Sequence, residues 1–271
     1  MARPLGRRRG EIPSHFKRGV YILPSMFTVA NLFCGYASIV YSTRGDFDTA
    51  ALFIGVSMIV DTLDGFFARL TNSQSAFGAE LDSLADVVSF GLAPAILAFT
   101  WGLWPLGRIG WAVGFIYLAA AAMRLARFNI QSSVHTDKRY FVGTPSPAAA
   151  SVIASTVWLY PYGLQDPRVS ALALPMVLVP GFLMVSTVRF RSLKAIDVGW
   201  RRSYLVLFLF AVGLAIIAAH IRVALVVLSY SYMTASLIMW AYTRLHRRRG
   251  ATPVSSPEAP RPEAPPPPPA G

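Results

Sequence analysis

The chain has 271 residues, of which 54% are apolar and only 14% charged, and its formal net charge is +12. This composition excludes an intrinsically disordered protein and argues against an ordinary soluble enzyme, in which about a quarter of the residues are charged. The single cysteine, Cys34, excludes a disulfide framework and a multi-cysteine metal site. Long apolar runs separate the basic residues, which favours a membrane protein with basic loops over a nucleic-acid binder.

Eight segments are apolar enough to be membrane-spanning helices, each of which needs roughly 20 mostly apolar residues. In chain order they are 20–42, 48–70, 81–104, 109–130, 144–162, 170–189, 203–220 and 223–243. The first follows a basic stretch, but no small-residue cleavage site follows it cleanly, so we interpret it as an uncleaved helix. The sequence therefore predicts an all-α, polytopic membrane bundle of about eight transmembrane helices.

The distribution of basic residues sets the expected orientation of these spans. Of the 25 basic residues, 21 fall at one side of the membrane when the spans are threaded alternately. The other side receives Arg44, Arg108, Arg168 and Arg222. Because cytosolic loops carry the excess of Lys and Arg, both termini are expected in the cytosol, at the cytoplasmic membrane of a bacterium.

Four acidic residues lie at the expected cytosolic ends of the second and third spans. Asp61 and Asp64 are three residues apart, and Asp82 and Asp86 are four apart, so each pair shares one face of its helix. The connecting loop, 71–75, is short enough to make the two helices antiparallel neighbours. We therefore expect the four carboxylates to converge just inside the membrane surface.

Clustered carboxylates repel one another unless a cation holds them together. Oxygen ligands without nearby His or Cys indicate hard ions, so we predict two divalent cations, Mg²⁺ or Mn²⁺. One alternative is a set of helix-cap acids paired with Arg69. Another is a carboxylate-lined cation transporter, although that function predicts acids near the bilayer midplane rather than at one face.

Small residues accompany the acids on the same helix faces. Gly65, Ala68 and Gly78 carry little side-chain bulk, which lets a ligand or a neighbouring backbone approach the carboxylates. Ordinary helix packing is the alternative explanation for each of them.

The acids and small residues together form one spaced motif. It reads D-x2-D-G-x2-A-R-x8-G-x3-D-x3-D and consists of Asp61, Asp64, Gly65, Ala68, Arg69, Gly78, Asp82 and Asp86. This motif resembles, without a departure, the signature of the CDP-alcohol phosphatidyltransferases. The resemblance implies a six-helix catalytic core, two divalent cations, a CDP-linked lipid donor and release of CMP.

Further stretches are similar to the branch of that family that transfers the phosphatidyl group of CDP-diacylglycerol to L-serine. They are residues 75–94, 124–129, 143–147 and 183–194. Other acceptors that the same chemistry could use are glycerol 3-phosphate, inositol phosphate and choline. The partners implied are thus CDP-diacylglycerol, L-serine and membrane lipids, with no nucleic acid, and family members are often homodimers.

The resemblance also implies roles for individual residues. Asp61, Asp64 and Asp82 would bind the cations, while Asp86 would share a cation and take the proton from the acceptor hydroxyl. The CDP-binding residues that the resemblance implies are Gly65, Ala68, Arg69 and Gly78. Thr28 and Asn31 are expected to bind the nucleotide as well, because they are polar positions within the first span; contact with a helix partner is the alternative.

Two groups of polar residues near the expected cytosolic surface are candidates for holding serine or phosphate. Arg124, Arg127 and Asn129 follow the fourth span, where a guanidinium could hold a carboxylate or a phosphate. Anchoring by positive charge at the cytosolic side explains them equally well. Arg189, Ser192 and Lys194 could hold a diphosphate or a lipid headgroup, or could be ordinary loop residues.

These observations divide the chain into four regions. Residues 1–19 form a basic cytosolic segment, and residues 20–200 form the core that resembles the family. Residues 201–245 add two transmembrane helices. Residues 246–271 contain the run Pro265–Pro269 and few apolar residues, so a disordered cytosolic tail is expected there.

Overall fold

A computed structural model describes residues 14–71, 76–133, 140–186, 189–191 and 218–249 of the chain. These residues are almost entirely helical. The helices are α1 (Ser14–Thr43), α2 (Phe47–Thr71), α3 (Ala76–Asp86), α4 (Ala93–Ala98), α5 (Arg108–Ser133), α6 (Ser146–Leu159), α7 (Pro167–Val185) and α8 (Ile221–Arg249). Two short strands, β1 (Tyr140–Val142) and β2 (Arg189–Arg191), pair antiparallel with Tyr140 opposite Arg191.

Every predicted span except 203–220 coincides with helical structure, which confirms the all-α membrane bundle. Most of that seventh span lies outside the described residues, so the count of eight is not confirmed. Within the described residues, five helical stretches are long and apolar enough to cross a membrane, and α6 is a shorter apolar helix. The predicted span 170–189 corresponds to α7, which begins three residues earlier, at Pro167, and ends four residues earlier, at Val185, since Arg189 belongs to β2.

The third span is helical as predicted, but it is not a continuous α-helix. Between α3 and α4 the chain forms a π-helical segment, Val87–Leu92, and after α4 a second one, Phe99–Leu103, followed by a 3₁₀ turn. Pro94 contributes to the irregularity because it has no N–H to donate to the preceding turn. In that turn, the Tyr117 hydroxyl donates to the Phe90 carbonyl over 3.2 Å. The first π-helical segment begins directly after Asp86.

Helix α1 organises the end of the bundle that carries the acids. It packs along α2 and also contacts α3 and the first π-helical segment. Gly35 permits this approach, because a Cβ there would lie 2.5 Å from Ser89 Oγ and 2.8 Å from Ser89 Cα. The two helices that carry the acidic residues, α2 and α3, are therefore held together largely through α1.

The remaining helices enclose an apolar core. Its fully buried members come from several helices and include Ile54, Phe90, Leu97, Tyr117 and Ile153. Helix α8 packs on α6, and its Met233 belongs to the same core. Many large apolar side chains point outward, as expected for surfaces that contact lipid.

Candidate active site

Three carboxylates meet where α2 and α3 approach each other. Asp61, Asp82 and Asp86 each offer a carboxylate oxygen, and these oxygens all lie within 4.8 Å of one another. Within the described part of the chain, no other group of three acidic, histidine or cysteine side chains comes this close. The expected convergence of the acids is thus present for these three residues.

The fourth acid, Asp64, lies one turn beyond Asp61 and is only 6% exposed. Its Oδ2 accepts a hydrogen bond of 2.6 Å from the Thr28 hydroxyl of α1. Its Oδ1 is buried and accepts no hydrogen bond from the described residues. A buried carboxylate oxygen without a donor is costly, and a bound cation would satisfy it.

The chemistry of the donor set fits hard divalent cations. The cluster offers carboxylate oxygens, which Mg²⁺ and Mn²⁺ prefer over sulfur and imidazole ligands. Arg124 of α5 interacts electrostatically with both Asp61 and Asp86 and so compensates part of their negative charge. One guanidinium cannot neutralise four carboxylates, so the residues present fit a site for divalent cations.

Asp86 is held from α1 by the side chain of Asn31. The Asn31 amide nitrogen donates to Asp86 Oδ1 over 3.3 Å. The Asn31 amide oxygen accepts a short hydrogen bond from the Ser57 hydroxyl of α2. In addition, the Ser89 hydroxyl donates to the Asn31 backbone carbonyl over 2.9 Å. Asn31 thereby connects α1, α2 and the helix that carries Asp86.

Arg124 and Arg127 lie one turn apart on α5 but have different partners. Arg124 donates to the Ser146 hydroxyl at the start of α6 over 2.7 Å, and it also interacts electrostatically with Asp86. Arg127 donates to the carbonyl of Val185, the last residue of α7, over 3.1 Å. The structure therefore directs Arg124 toward the carboxylates and Arg127 toward a helix end.

Asn129 pairs with Ser83 of α3. Its amide nitrogen donates to the Ser83 hydroxyl over 2.9 Å, one residue after Asp82. This contact ties the end of α5 to the helix that carries two of the acids. A role of Asn129 in binding serine or phosphate stays a prediction.

The other predicted site residues are described by the helix or strand in which they lie. Gly65 directly follows Asp64 on α2, and Gly78 lies one turn before Asp82 on α3. Ala68 and Arg69 belong to the last turns of α2, and Arg189 belongs to β2. Ser192 and Lys194 lie outside the described residues.

Sequence reasoning missed Ser57, which contacts Asn31 without itself being acidic or basic. A signal was present, because Ser57 precedes Asp61 by four residues and therefore shares its face of α2. A single serine in an apolar helix is nonetheless a weak pattern, since its hydroxyl can bond to its own helix backbone.

Comparison with known proteins decides the family. A family model described as CDP-alcohol phosphatidyltransferase matches residues 21–240, which contain all four acids and their α1 partners. The chain belongs to the CDP-alcohol phosphatidyltransferase family. The resemblance seen in the spaced motif is thereby confirmed, and the carboxylate cluster lies within the matched region.

Several curated relatives within this family are similar over much of their length. A CDP-diacylglycerol–serine O-phosphatidyltransferase of Helicobacter pylori is 36% identical over 224 residues, covering 82% of this chain and 92% of that protein. The protein of the same name from Bacillus subtilis is 34% identical over 177 residues, covering 64% and 91%. An archaetidylserine synthase of Methanothermobacter thermautotrophicus is 36% identical over 135 residues, covering 49% and 56%.

Proposed function

We propose that this membrane protein transfers the phosphatidyl group of CDP-diacylglycerol to the hydroxyl of L-serine, giving phosphatidylserine and CMP. The observation that carries the proposal is the convergence of Asp61, Asp82 and Asp86 at spacings typical of the family. Serine as acceptor is supported by the names of the relatives from Helicobacter pylori and Bacillus subtilis.

Two divalent cations, Mg²⁺ or Mn²⁺, fit the site, with Asp61, Asp64 and Asp82 as ligands and Asp86 shared. When bound, such ions neutralise the diphosphate, stabilise the leaving CMP and make a nearby hydroxyl more acidic. The Oδ1 atom of Asp64, which is buried and has no hydrogen-bond partner in the described part of the chain, is the oxygen that most needs such a ligand. Thr28 donates a hydrogen bond to the other oxygen, Oδ2, and thereby orients the Asp64 carboxylate so that Oδ1 can bind a cation.

Asp86 is the proposed general base for the serine hydroxyl. Its Oδ1 is held by Asn31, so the carboxylate has a defined direction before the acceptor arrives. The serine oxygen would then attack the lipid-linked phosphorus directly as its proton passes to Asp86, and the bond to CMP would break. No covalent intermediate with the protein is needed in this scheme.

Arg124 is the proposed partner of the serine carboxylate. Its guanidinium is fixed by Ser146 and interacts with Asp86, so it can bind a carboxylate beside the base. That arrangement would direct the amino acid's hydroxyl toward Asp86. Asn129, in contact with Ser83, and Arg127 would support the same end of α5.

The nucleotide and its diphosphate are proposed to lie over the small residues of the motif. Gly65, Ala68 and Gly78 leave space beside the acids, and Arg69 supplies a positive charge. Arg189, Ser192 and Lys194 are proposed to bind the diphosphate or a lipid headgroup. The basic residues favour a cytosolic site at a bacterial cytoplasmic membrane, and the family resemblance favours a homodimer.

The acceptor is tested by measuring CMP release from purified protein with CDP-diacylglycerol, Mn²⁺ or Mg²⁺, and one alcohol at a time. We expect release with L-serine and little with glycerol 3-phosphate, inositol phosphate or choline. Phosphatidylserine should form in an amount equal to the CMP. Equal or faster release with glycerol 3-phosphate would contradict serine as the acceptor while leaving the family chemistry intact.

A further inference from the structure

A chain of hydrogen bonds leads from Ser57 to the proposed base. The Ser57 hydroxyl donates to the Asn31 amide oxygen, and the Asn31 amide nitrogen donates to Asp86 Oδ1. The three residues come from α2, α1 and the end of α3. Ser57 therefore reaches Asp86 without touching it.

The donors and acceptors in this chain permit one arrangement when Asp86 is ionised. A carboxylate accepts hydrogen bonds only, so Asn31 must turn its NH₂ group toward Asp86. The amide oxygen then faces Ser57, whose hydroxyl has to be the donor. If the amide turned over, its oxygen would face a carboxylate oxygen, and the two acceptors would repel each other.

Water cannot replace Ser57 in this role. Asn31 is 1% exposed and Ser57 is fully buried. Without the hydroxyl, the amide oxygen would be a buried acceptor lacking a partner, which is much more costly than the same group in water. The amide would gain by rotating away from the orientation that serves Asp86.

The backbone of α1 at this point is held separately. The Ser89 hydroxyl bonds to the Asn31 carbonyl, and Gly35 lies against Ser89. These contacts fix where α1 lies, so they do not depend on Ser57. The hydrogen bond from Ser57 therefore acts on the rotation of the Asn31 amide rather than on the position of α1.

We propose that Ser57 is a positioning residue for the transfer reaction, acting through Asn31 to hold the Asp86 carboxylate toward the acceptor hydroxyl. This inference rests on the proposed function of Asp86 as the base. It assigns a role in the chemistry to a side chain of α2 that contacts neither of the substrates.

Ser38 provides a matched control. It is a fully buried serine of α1, and its hydroxyl has no hydrogen-bond partner among the described residues. Ser38→Ala and Ser57→Ala each remove one hydroxyl oxygen, and the two positions are equally buried. They differ in whether a bond toward Asp86 is lost.

The first test compares the steady-state kinetics of the full-length variants. Ser57→Ala should lower kcat about tenfold, the loss expected for one buried hydrogen bond that matters in the transition state. The KM values for CDP-diacylglycerol and serine should stay within about twofold, and Ser38→Ala should match the parent. In an Asp86→Asn background, Ser57→Ala should cause no further loss of kcat.

Equal kcat values for Ser57→Ala and Ser38→Ala would overturn the inference. The same fold-loss with and without Asp86 would also overturn it, because Ser57 would then act by another route. Absence of CMP release from the parent protein with every alcohol would instead contradict the proposed function.

A thermal unfolding cycle in EDTA decides the inference without any turnover. The changes in Tm caused by Ser57→Ala and Asp86→Ala, whatever the sign of each, should not add in the double variant, because the two residues belong to one network. The changes for Ser38→Ala and Asp86→Ala should add. Additive changes in both cycles would show that Ser57 and Asp86 are independent and would overturn the inference.

Discussion

Asp86 accepts a hydrogen bond from an amide donor, Asn31, whereas Asp64 accepts one from the Thr28 hydroxyl. The other oxygen of Asp64 is buried and has no hydrogen-bond partner among the described residues. This difference fits a division of roles in which Asp64 is mainly a cation ligand and Asp86 is mainly the base. Substitution can separate these roles.

Asp86→Asn keeps the shape of the side chain and one ligand oxygen but cannot take a proton. Its turnover with serine should fall at least about a hundredfold, the low end of what general-base help contributes. Its affinity for CDP-diacylglycerol in the presence of Mn²⁺ should stay close to that of the parent. Equilibrium binding and CMP release measure the two quantities. Loss of binding together with turnover would make Asp86 chiefly a cation ligand.

Arg124 and Arg127 are chemically alike and should respond differently to the same change. Arg124→Gln removes the positive charge and shortens the side chain that donates to Ser146, so the KM for serine should rise at least about tenfold. Arg127→Gln should chiefly lower Tm by about 2–4 °C, because the bond to the Val185 carbonyl is weakened. Kinetics and thermal unfolding of both variants check this. An equal rise in the KM for serine in both variants would contradict the different roles of Arg124 and Arg127.

The convergence of Asp61, Asp82 and Asp86 could be predicted from the sequence, because charge in an apolar helix is rare and its spacing fixes the helix face. The alternative partner suggested for Asn31 is also present, since its amide bonds to Ser57 and Asp86. Ser57 could not be predicted. Its bond depends on how α1 and α2 face each other, which no local pattern contains.

At the level of helices, the third span is helical as expected, but the sequence did not predict its π-helical segments. Apolar periodicity shows that a helix is buried, but it does not distinguish α-helical from π-helical hydrogen bonding over one turn. The π-helical segment Val87–Leu92 places Ser89 against Asn31 just after Asp86. Gly91 and Pro94 were the local signals of irregularity in this region.

Helix α8 is joined to the core by Arg222 near its start. The Arg222 guanidinium lies 2.8 Å from an Asp48 oxygen of α2, donates to the Trp158 carbonyl of α6 over 3.0 Å, and stacks over the Trp158 ring. Arg222 and Asp48 are both 43% exposed, so the ion pair alone contributes little. The combination of three contacts is what should hold the helix.

Arg222→Ala should therefore lower Tm by about 2–4 °C, since a cation–π contact and one hydrogen bond are lost with the ion pair. Arg168→Ala is the control, because Arg168 is an exposed arginine expected on the same side of the membrane. Thermal unfolding in detergent measures both. An unchanged Tm for Arg222→Ala would show that apolar packing on α6 is sufficient to hold α8.

Across the whole molecule, the helix directions give the two ends different chemistry. Helix α2 runs from Asp48 at one end to Asp61 at the other, and α5 runs from Arg108 to Arg124. The carboxylate cluster and Arg124 thus share one end, and Asp48 and Arg222 pair at the other. The charge distribution predicts that the carboxylate end faces the cytosol.

Reporter fusions test this orientation. A fusion after Gly250 should report the cytosol, and one in the loop near Arg108 should report the opposite side. Detection of both fusions on the same side would contradict an odd number of spans between the loop near Arg108 and the C-terminus. It would also contradict the orientation derived from the basic residues.

The central claim is that the carboxylate cluster is the cation-dependent site of phosphatidyl transfer. The most direct measurement is serine-dependent CMP release by purified protein before EDTA, after EDTA and after Mn²⁺ is restored. It is made for the parent, for Asp61→Ala, Asp64→Ala and Asp82→Ala, and for Glu80→Ala, an exposed acid on α3 that serves as control. We expect EDTA to abolish CMP release reversibly in the parent and in Glu80→Ala. CMP release should be almost completely lost in Asp61→Ala, Asp64→Ala and Asp82→Ala, although these variants stay folded. Full CMP release by the cation-free parent, or by folded variants of the cluster, would contradict the account.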